Sequence, residues 1–119
     1  MGITTVTALI GPDQDHPQEV EFMVDTGSLY TFVTPQMAQR LGIRPTTRTR
    51  VVTADRRIAE VGVAAGFLRL MDREGGILVG VMDVPIPLLG VISLEVLGLK
   101  VNPVEESLEY ARPFGPMAL

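Results

Sequence analysis

"FMVDTGSLYTFVTP" (Phe22–Pro35) sets one acid, Asp25, at the end of a hydrophobic run and follows it with Thr26, Gly27 and Ser28. Sheltering a charged side chain from water is costly, so the placement needs a reason. The preceding "EVEFMVD" reads as a strand, apolar at Val20, Phe22 and Val24, with Glu21, Met23 and Asp25 on its other face. Gly27 lets the chain turn sharply and lets another chain approach closely. The hydroxyls of Thr26 and Ser28 can hydrogen-bond beside the carboxylate. Read alone, the tetrapeptide could be only a hairpin turn in which Asp25 bonds its own backbone.

Working outward, "ITTVTALI" reads as a first strand and "GPDQDHPQ" as turn chemistry, with His16 on a solvated loop. On the other side, Thr34 caps a short helix, Pro35 opens it and Gly42 closes it. Met37, Ala38 and Leu41 form its core stripe. "TRTRVVTADRRIAEVGVAAGFLRLMD" reads as two or three strands with a turn near Ala54–Arg57. "REGG", with Gly75 and Gly76, reads as a plain turn, and "ILVGVMDV" as another strand. "PIPLLG" is an extended, proline-bounded strand, "VISLEVLG" a second helix closed by Gly98, and "LKVNPVEESLEYA" a hairpin turning near Asn102–Glu106. Short strands punctuated by Gly and Pro indicate one all-β domain over residues 1–119, with 112–119 a loose tail.

Composition bounds the chemistry. At 119 residues the chain can bury a core without staples. With no Cys and one His, it holds no thiol nucleophile, no zinc-finger spacing and no pair built around a second histidine. The start lacks a basic region, and no apolar run reaches membrane length, so a soluble cytoplasmic protein is the expectation. A net charge of −4 speaks against a general nucleic-acid binder. Arg40, Arg44, Arg48, Arg50, Arg56 and Arg57 nevertheless cluster, with only Asp55 among them. The cluster reads as a solvated face or as a surface favouring acidic peptides. Asp55 and Asp83 read as surface acids.

A lone Asp without a histidine or metal is a poor catalyst for a hard reaction. Two facing carboxylates differ: like charges about 3 Å apart cannot both ionise, so the pair shares one proton. One member can then take a proton from water while the other gives one to a carbonyl oxygen. The chain has a single Asp-Thr-Gly, and a two-fold axis would place Asp25 opposite itself.

With "PIPLLG" as a second landmark, "FMVDTGS" resembles the active-site motif of the retroviral-type, or retropepsin-like, aspartic proteases. Leu88, Leu89 and Gly90 resemble the family's hydrophobic-hydrophobic-glycine signature before the C-terminal helix, and "TPQMAQRLGI" is similar to bacterial and archaeal members. The resemblance covers about Val20–Pro103. It implies a distorted closed β-barrel of the retropepsin type with one or two short helices, active as a homodimer without a cofactor. Asp25 would be the catalytic acid/base, Thr26 would bond across the dimer axis, Gly27 would offer its carbonyl to substrate, and Ser28 would bond the outer carboxylate oxygen. A flap over about Val52–Val61, with its tip near Ala54, Asp55, Arg56 and Arg57, would close over the peptide. Met23, Ile86 and Leu88 would line subsites, and Tyr30 and Phe32 would be either core or subsite wall. The flap tip "ADRR" replaces the family's glycine-rich tip. Val91 after Gly90, and Leu29 and Tyr30 after Ser28, remove an Arg–acid pair that supports the retroviral dimer.

The implied activity is an aspartic endopeptidase cutting an extended, hydrophobic-rich peptide, with a second copy of itself as partner and neither nucleic acid nor membrane. The alternative is a non-catalytic peptide-binding or dimerisation module on the same fold. An unrelated small β-barrel binding a non-peptide ligand stands third.

Overall fold

A computed structural model describes residues 3–113. The chain order is β1 (Thr5–Gly11), β2 (Gln18–Val24), β3 (Thr31–Val33), α1 (Pro35–Leu41), β4 (Thr47–Val52) and β5 (Ile58–Leu70). It continues with β6 (Arg73–Val81), β7 (Leu88–Leu89), α2 (Val91–Leu97), β8 (Leu99–Asn102) and β9 (Ser107–Tyr110). The sheet runs β1-β2-β7-β3-β6-β5-β4, and β1 meets β5 again through Leu9–Gly11 against Phe67–Arg69. Six strands therefore close a ring. One edge of β5 serves β4 with its first half and β1 with its last residues. Closure removes edges that would otherwise pair with other chains.

Alternation explains the filling. Ala8 and Ile10 of β1, with Val20 and Phe22 of β2, turn inward and are buried. They meet Leu68, Val79, Leu89, Leu94 and Leu97 in the main core. A smaller cluster of Phe32, Val61, Val63 and Val84 sits beside Tyr30, Val51, Met82 and Leu88. The first helix is built as expected: Thr34 accepts from the Met37 N–H, and Gly42 exits in the left-handed conformation. Gly98 closes α2 in the same way, and β8–β9 form the terminal hairpin. Among the described residues, no helix is long and apolar enough to cross a membrane.

Two readings of the sequence change, and one strand is added. "REGG" is not a turn. Arg73–Gly76 begin β6, and the turn is Met71–Asp72, with Met71 at φ 61°. Gly75 is used for packing instead: a Cβ there would stand 3.2 Å from Val96 of α2, so its bareness seats the helix on the sheet. "PIPLLG" yields only a two-residue strand, because Pro85 and Pro87 have no N–H to donate to a ladder. Thr31–Val33, to which the sequence assigned no element, form a buried strand between β6 and β7. The tail expected over 112–119 lies outside the described residues from 114 onward.

Arg73 joins β6 to the C-terminal region. Its buried guanidinium donates to the Leu97 and Gly98 carbonyls, both at 3.0 Å, at the end of α2. It also lies 4.2 Å from the Tyr110 ring centre, and the Tyr110 hydroxyl donates to Asp72 at 2.6 Å. Arg73→Ala should cost about 2–3 kcal/mol in denaturant titration, because buried carbonyls lose their donors. Arg73→Lys should recover only part of this, since an ammonium cannot reproduce the flat fork.

Candidate active site

The Asp25 loop is held from outside itself. The Met23 N–H donates to the Pro87 carbonyl and the Asp25 N–H to the Leu89 carbonyl, each at 2.9 Å, so β7 carries the acid's backbone. Beyond the turn, the Val91 and Ile92 N–H groups donate to the carbonyls of Ser28 (2.8 Å) and Leu29 (3.3 Å). These are first-turn donors of α2, which no helical carbonyl can satisfy. Gly90 supplies no capping side chain, so the active loop caps the helix. The contact is too close for anything but glycine: a Cβ on Gly90 would lie 2.2 Å from the Tyr30 carbonyl oxygen. Beneath it, Thr31 Oγ1 accepts from the Gly90 N–H (3.1 Å) and shares a 2.6 Å hydrogen bond with Ser93 Oγ, both side chains buried.

Within the loop, the Gly27 N–H donates to Asp25 Oδ1 at 3.0 Å and the Ser28 N–H to the Asp25 carbonyl at 3.0 Å. The self-bonded turn that the tetrapeptide suggested is thus present, and it also orients the carboxylate. Ser28 departs from expectation: its hydroxyl donates to the Tyr30 carbonyl at 2.8 Å, rather than to the carboxylate. Asp25 is half-buried, and Thr26, Gly27 and Leu29 are exposed.

Asp25 opens into a cavity of about 710 Å³. Its floor is Gly27, Ser28, Leu29, Tyr30, Phe32, Met82 and Leu88, and its roof is Arg50–Ala54. Tyr30 and Phe32 meet edge to face with ring centres 6.2 Å apart, so they are cavity wall and core at once. Among the expected site residues, Asp25, Gly27, Ser28, Ala54 and Leu88 come together here. Thr26 stands on the loop's exposed crest. Met23 lies beside Leu88 across β2–β7, Ile86 is exposed in the bend before β7, and Asp55 and Arg56 sit at the hairpin tip; none of these lines the cavity. Leu89 and Gly90 are buried supports. Leu29, Arg50, Val51 and Met82 line the cavity without having been expected there, and Val52 and Thr53 line it from within the expected flap. Alternation in "TRTRVV" was the available signal for one of them, since it commits Val51 to the face that packs on the body.

The hairpin is longer than expected, with arms Thr47–Val52 and Ile58–Val63 around a tip at 53–57. The tip is ordered without glycine. Asp55 accepts from the Thr53 hydroxyl and from the Arg57 N–H, and it pairs with Arg57 Nε at 3.3 Å. The Thr53 hydroxyl holds the Asp55 carboxyl below its ordinary value of 3.8, helped by the Arg57 N–H. A depressed value means the tip's support is present above pH 3.8 and is lost only as pH falls through the lower folded value. Arg56 takes the left-handed position at φ 66°, a conformation that favours glycine.

Gly90→Ala should cost at least about 3 kcal/mol in a thermal melt, since backbone rather than a movable side chain blocks the new Cβ. Thr31→Val should cost about 1–3 kcal/mol by leaving buried donors unpaired. Arg56→Gly should stay within about 1 kcal/mol of the native chain, and Arg56→Val should lose about 1–2 kcal/mol, because a branched side chain is strained at positive φ.

The comparisons agree with this geometry. The aspartyl protease family matches residues 6–101. Among solved structures, EIAV protease complexed with the inhibitor HBY-793 is similar at TM-score 0.68 and 20% identity. The match covers 85% of this chain and 93% of that one. No curated protein matches. The ring of strands has the retropepsin fold, and the chain belongs to the aspartyl protease family.

Proposed function

We propose that this aspartic peptidase works as a two-fold homodimer, in which the Asp25 of each subunit drives water onto an amide bond of an extended, hydrophobic-rich peptide. One observation carries the reading: Asp25 is the single carboxylate among the residues lining the cavity beneath the hairpin. An ionised Asp25 can take a proton from water but has none to give the carbonyl oxygen. A second Asp25 across an axis supplies the missing group.

In the pair, one carboxylate takes a proton from water as its oxygen attacks the carbonyl carbon. The other, protonated, gives its proton to the carbonyl oxygen. The resulting tetrahedral diol collapses as the carboxyl that water protonated gives its proton to the leaving amide nitrogen and a diol hydroxyl returns one to the other carboxylate, with no acyl-enzyme formed. The Gly27 N–H bond to Oδ1 supports Asp25's orientation for this. Thr26, exposed on the loop, would bond its counterpart across the axis, and Gly27 would offer its carbonyl to the peptide.

The peptide would lie as an added strand along β4, the end strand of the sheet. The Thr53 N–H donates back to Arg57, and alternation from that bond turns the N–H and C=O of Arg50 and Val52 towards the open edge. Tyr30, Phe32, Met82 and Leu88 offer apolar walls to the side chains around the scissile bond.

Asp25→Asn should abolish cleavage of a peptide library at about pH 4 to 7 while leaving the thermal melt in place. Mixing native chain with a growing excess of Asp25→Asn should depress activity as mixed pairs replace native ones. Activity that merely scales with native chain would sink the shared site.

A further inference from the structure

The hairpin Thr47–Val63 carries Arg48, Arg50, Arg56 and Arg57 against Asp55 and Glu60, a net positive roof on a chain whose total is −4. Arg48 is neutralised by Glu60 at 3.0 Å and Arg57 by Asp55 at 3.3 Å. Arg50 stands directly opposite Glu60 in register, yet that carboxylate is taken by Arg48. Arg50 has no side-chain hydrogen bond or ion pair among the described residues, and it lines the same cavity as Asp25.

Strand geometry fixes what Arg50 would meet. Arg48, Arg50 and Val52 share one face of β4, since alternate residues do, and Val51 takes the other face, against Val61. A peptide added along β4's open edge presents every second side chain on Arg50's face. The residue opposite Arg50 comes within cross-strand reach of its guanidinium, where opposite charges attract.

Resting on the protease reading above, we propose that Arg50 is a specificity-determining residue that selects peptides with a carboxylate side chain flanking the apolar scissile pair. The Arg48–Glu60 and Arg57–Asp55 pairs leave Arg50 and Arg56 for the substrate to neutralise, and of these two only Arg50 lines the Asp25 cavity. The acidic body of the chain repels such a peptide from other faces and leaves the roof as its docking place.

The test uses the full chain and matched short peptides sharing an apolar pair, with Glu, Gln or Lys stepped through the flanking positions. Cleavage is read as kcat/KM on the native chain, and binding is read by fluorescence anisotropy on Asp25→Asn, so that selectivity is measured whether or not a peptide is cut. At one position, Glu should be favoured over Gln by about fivefold, the upper range for a solvent-reachable pair. The preference should shrink between about 0.05 M and 0.5 M salt. Arg50→Gln should bring the ratio to one, Arg50→Lys should keep most of it, and Arg50→Glu should turn it towards Lys, each ratio being taken within one chain so that a general change in activity cancels. Equal handling of Glu and Gln peptides by the native chain, or an unchanged ratio in Arg50→Gln, overturns the proposal. Selective binding with no cleavage of any peptide would uphold Arg50's role and overturn the protease reading instead.

Discussion

The rest of the site depends on the close approach of Gly90 to the backbone of Leu29 and Tyr30. At that point a helix start without a side-chain cap meets a loop with carbonyls to spare. The Ser28 and Leu29 carbonyls satisfy the helix, and the helix fixes the loop. Neither half is complete alone: the helix would leave donors bare, and the loop would lack its outer wall. Thr31 and Ser93 close the gap below with hydroxyls, which can each donate and accept and so leave nothing unpaired in a buried place. Asp25 inherits its position from this joint, through the Leu89 carbonyl on one side and its own turn on the other.

The hairpin over the cavity solves a different problem. A glycine-rich tip gains mobility from lost side chains; this tip gains order from local hydrogen bonds around Asp55 and tolerates one arginine in the left-handed region. The roof and floor are thereby made by different means. The floor is held by long-range backbone contacts, and the tip of the roof by bonds between residues two to four apart. The roof's arms still rest on the body through Val51 and Val61, so the tip alone is left to local chemistry.

Much of this was legible in the sequence, for identifiable reasons. Thr34, Pro35, Gly42 and Gly98 declare helix ends because capping is local chemistry. Asp25 with Gly27, and Leu88–Gly90, stood out as landmarks. The use made of Gly90 was not readable, because the clash it avoids is with residues some sixty positions earlier, and a sequence does not display such distances. Gly75 was misread for the same reason. A glycine pair resembles a turn locally, and only the presence of α2 above it shows that the missing side chain makes room. Ser28 was placed by analogy on the carboxylate, whereas Tyr30, two positions on, offered its hydroxyl a carbonyl at 2.8 Å. Thr31–Val33 form a strand too short to show a period, recognisable only once β6 and β7 lie on either side.

The joint between Gly90 and the Asp25 loop also bears on when the enzyme comes into being. Thr31 and Gly90 are 59 positions apart, so the loop lacks its support until a ribosome has released the chain well past Gly90. Contacts of such separation form late, after the local hairpins and helices. A nascent fragment ending before α2 holds Asp25 on an unsupported loop, with part of the ring unbuilt. The order of synthesis thus limits the order of assembly: the outer support of the Asp25 loop cannot form before α2 has been made.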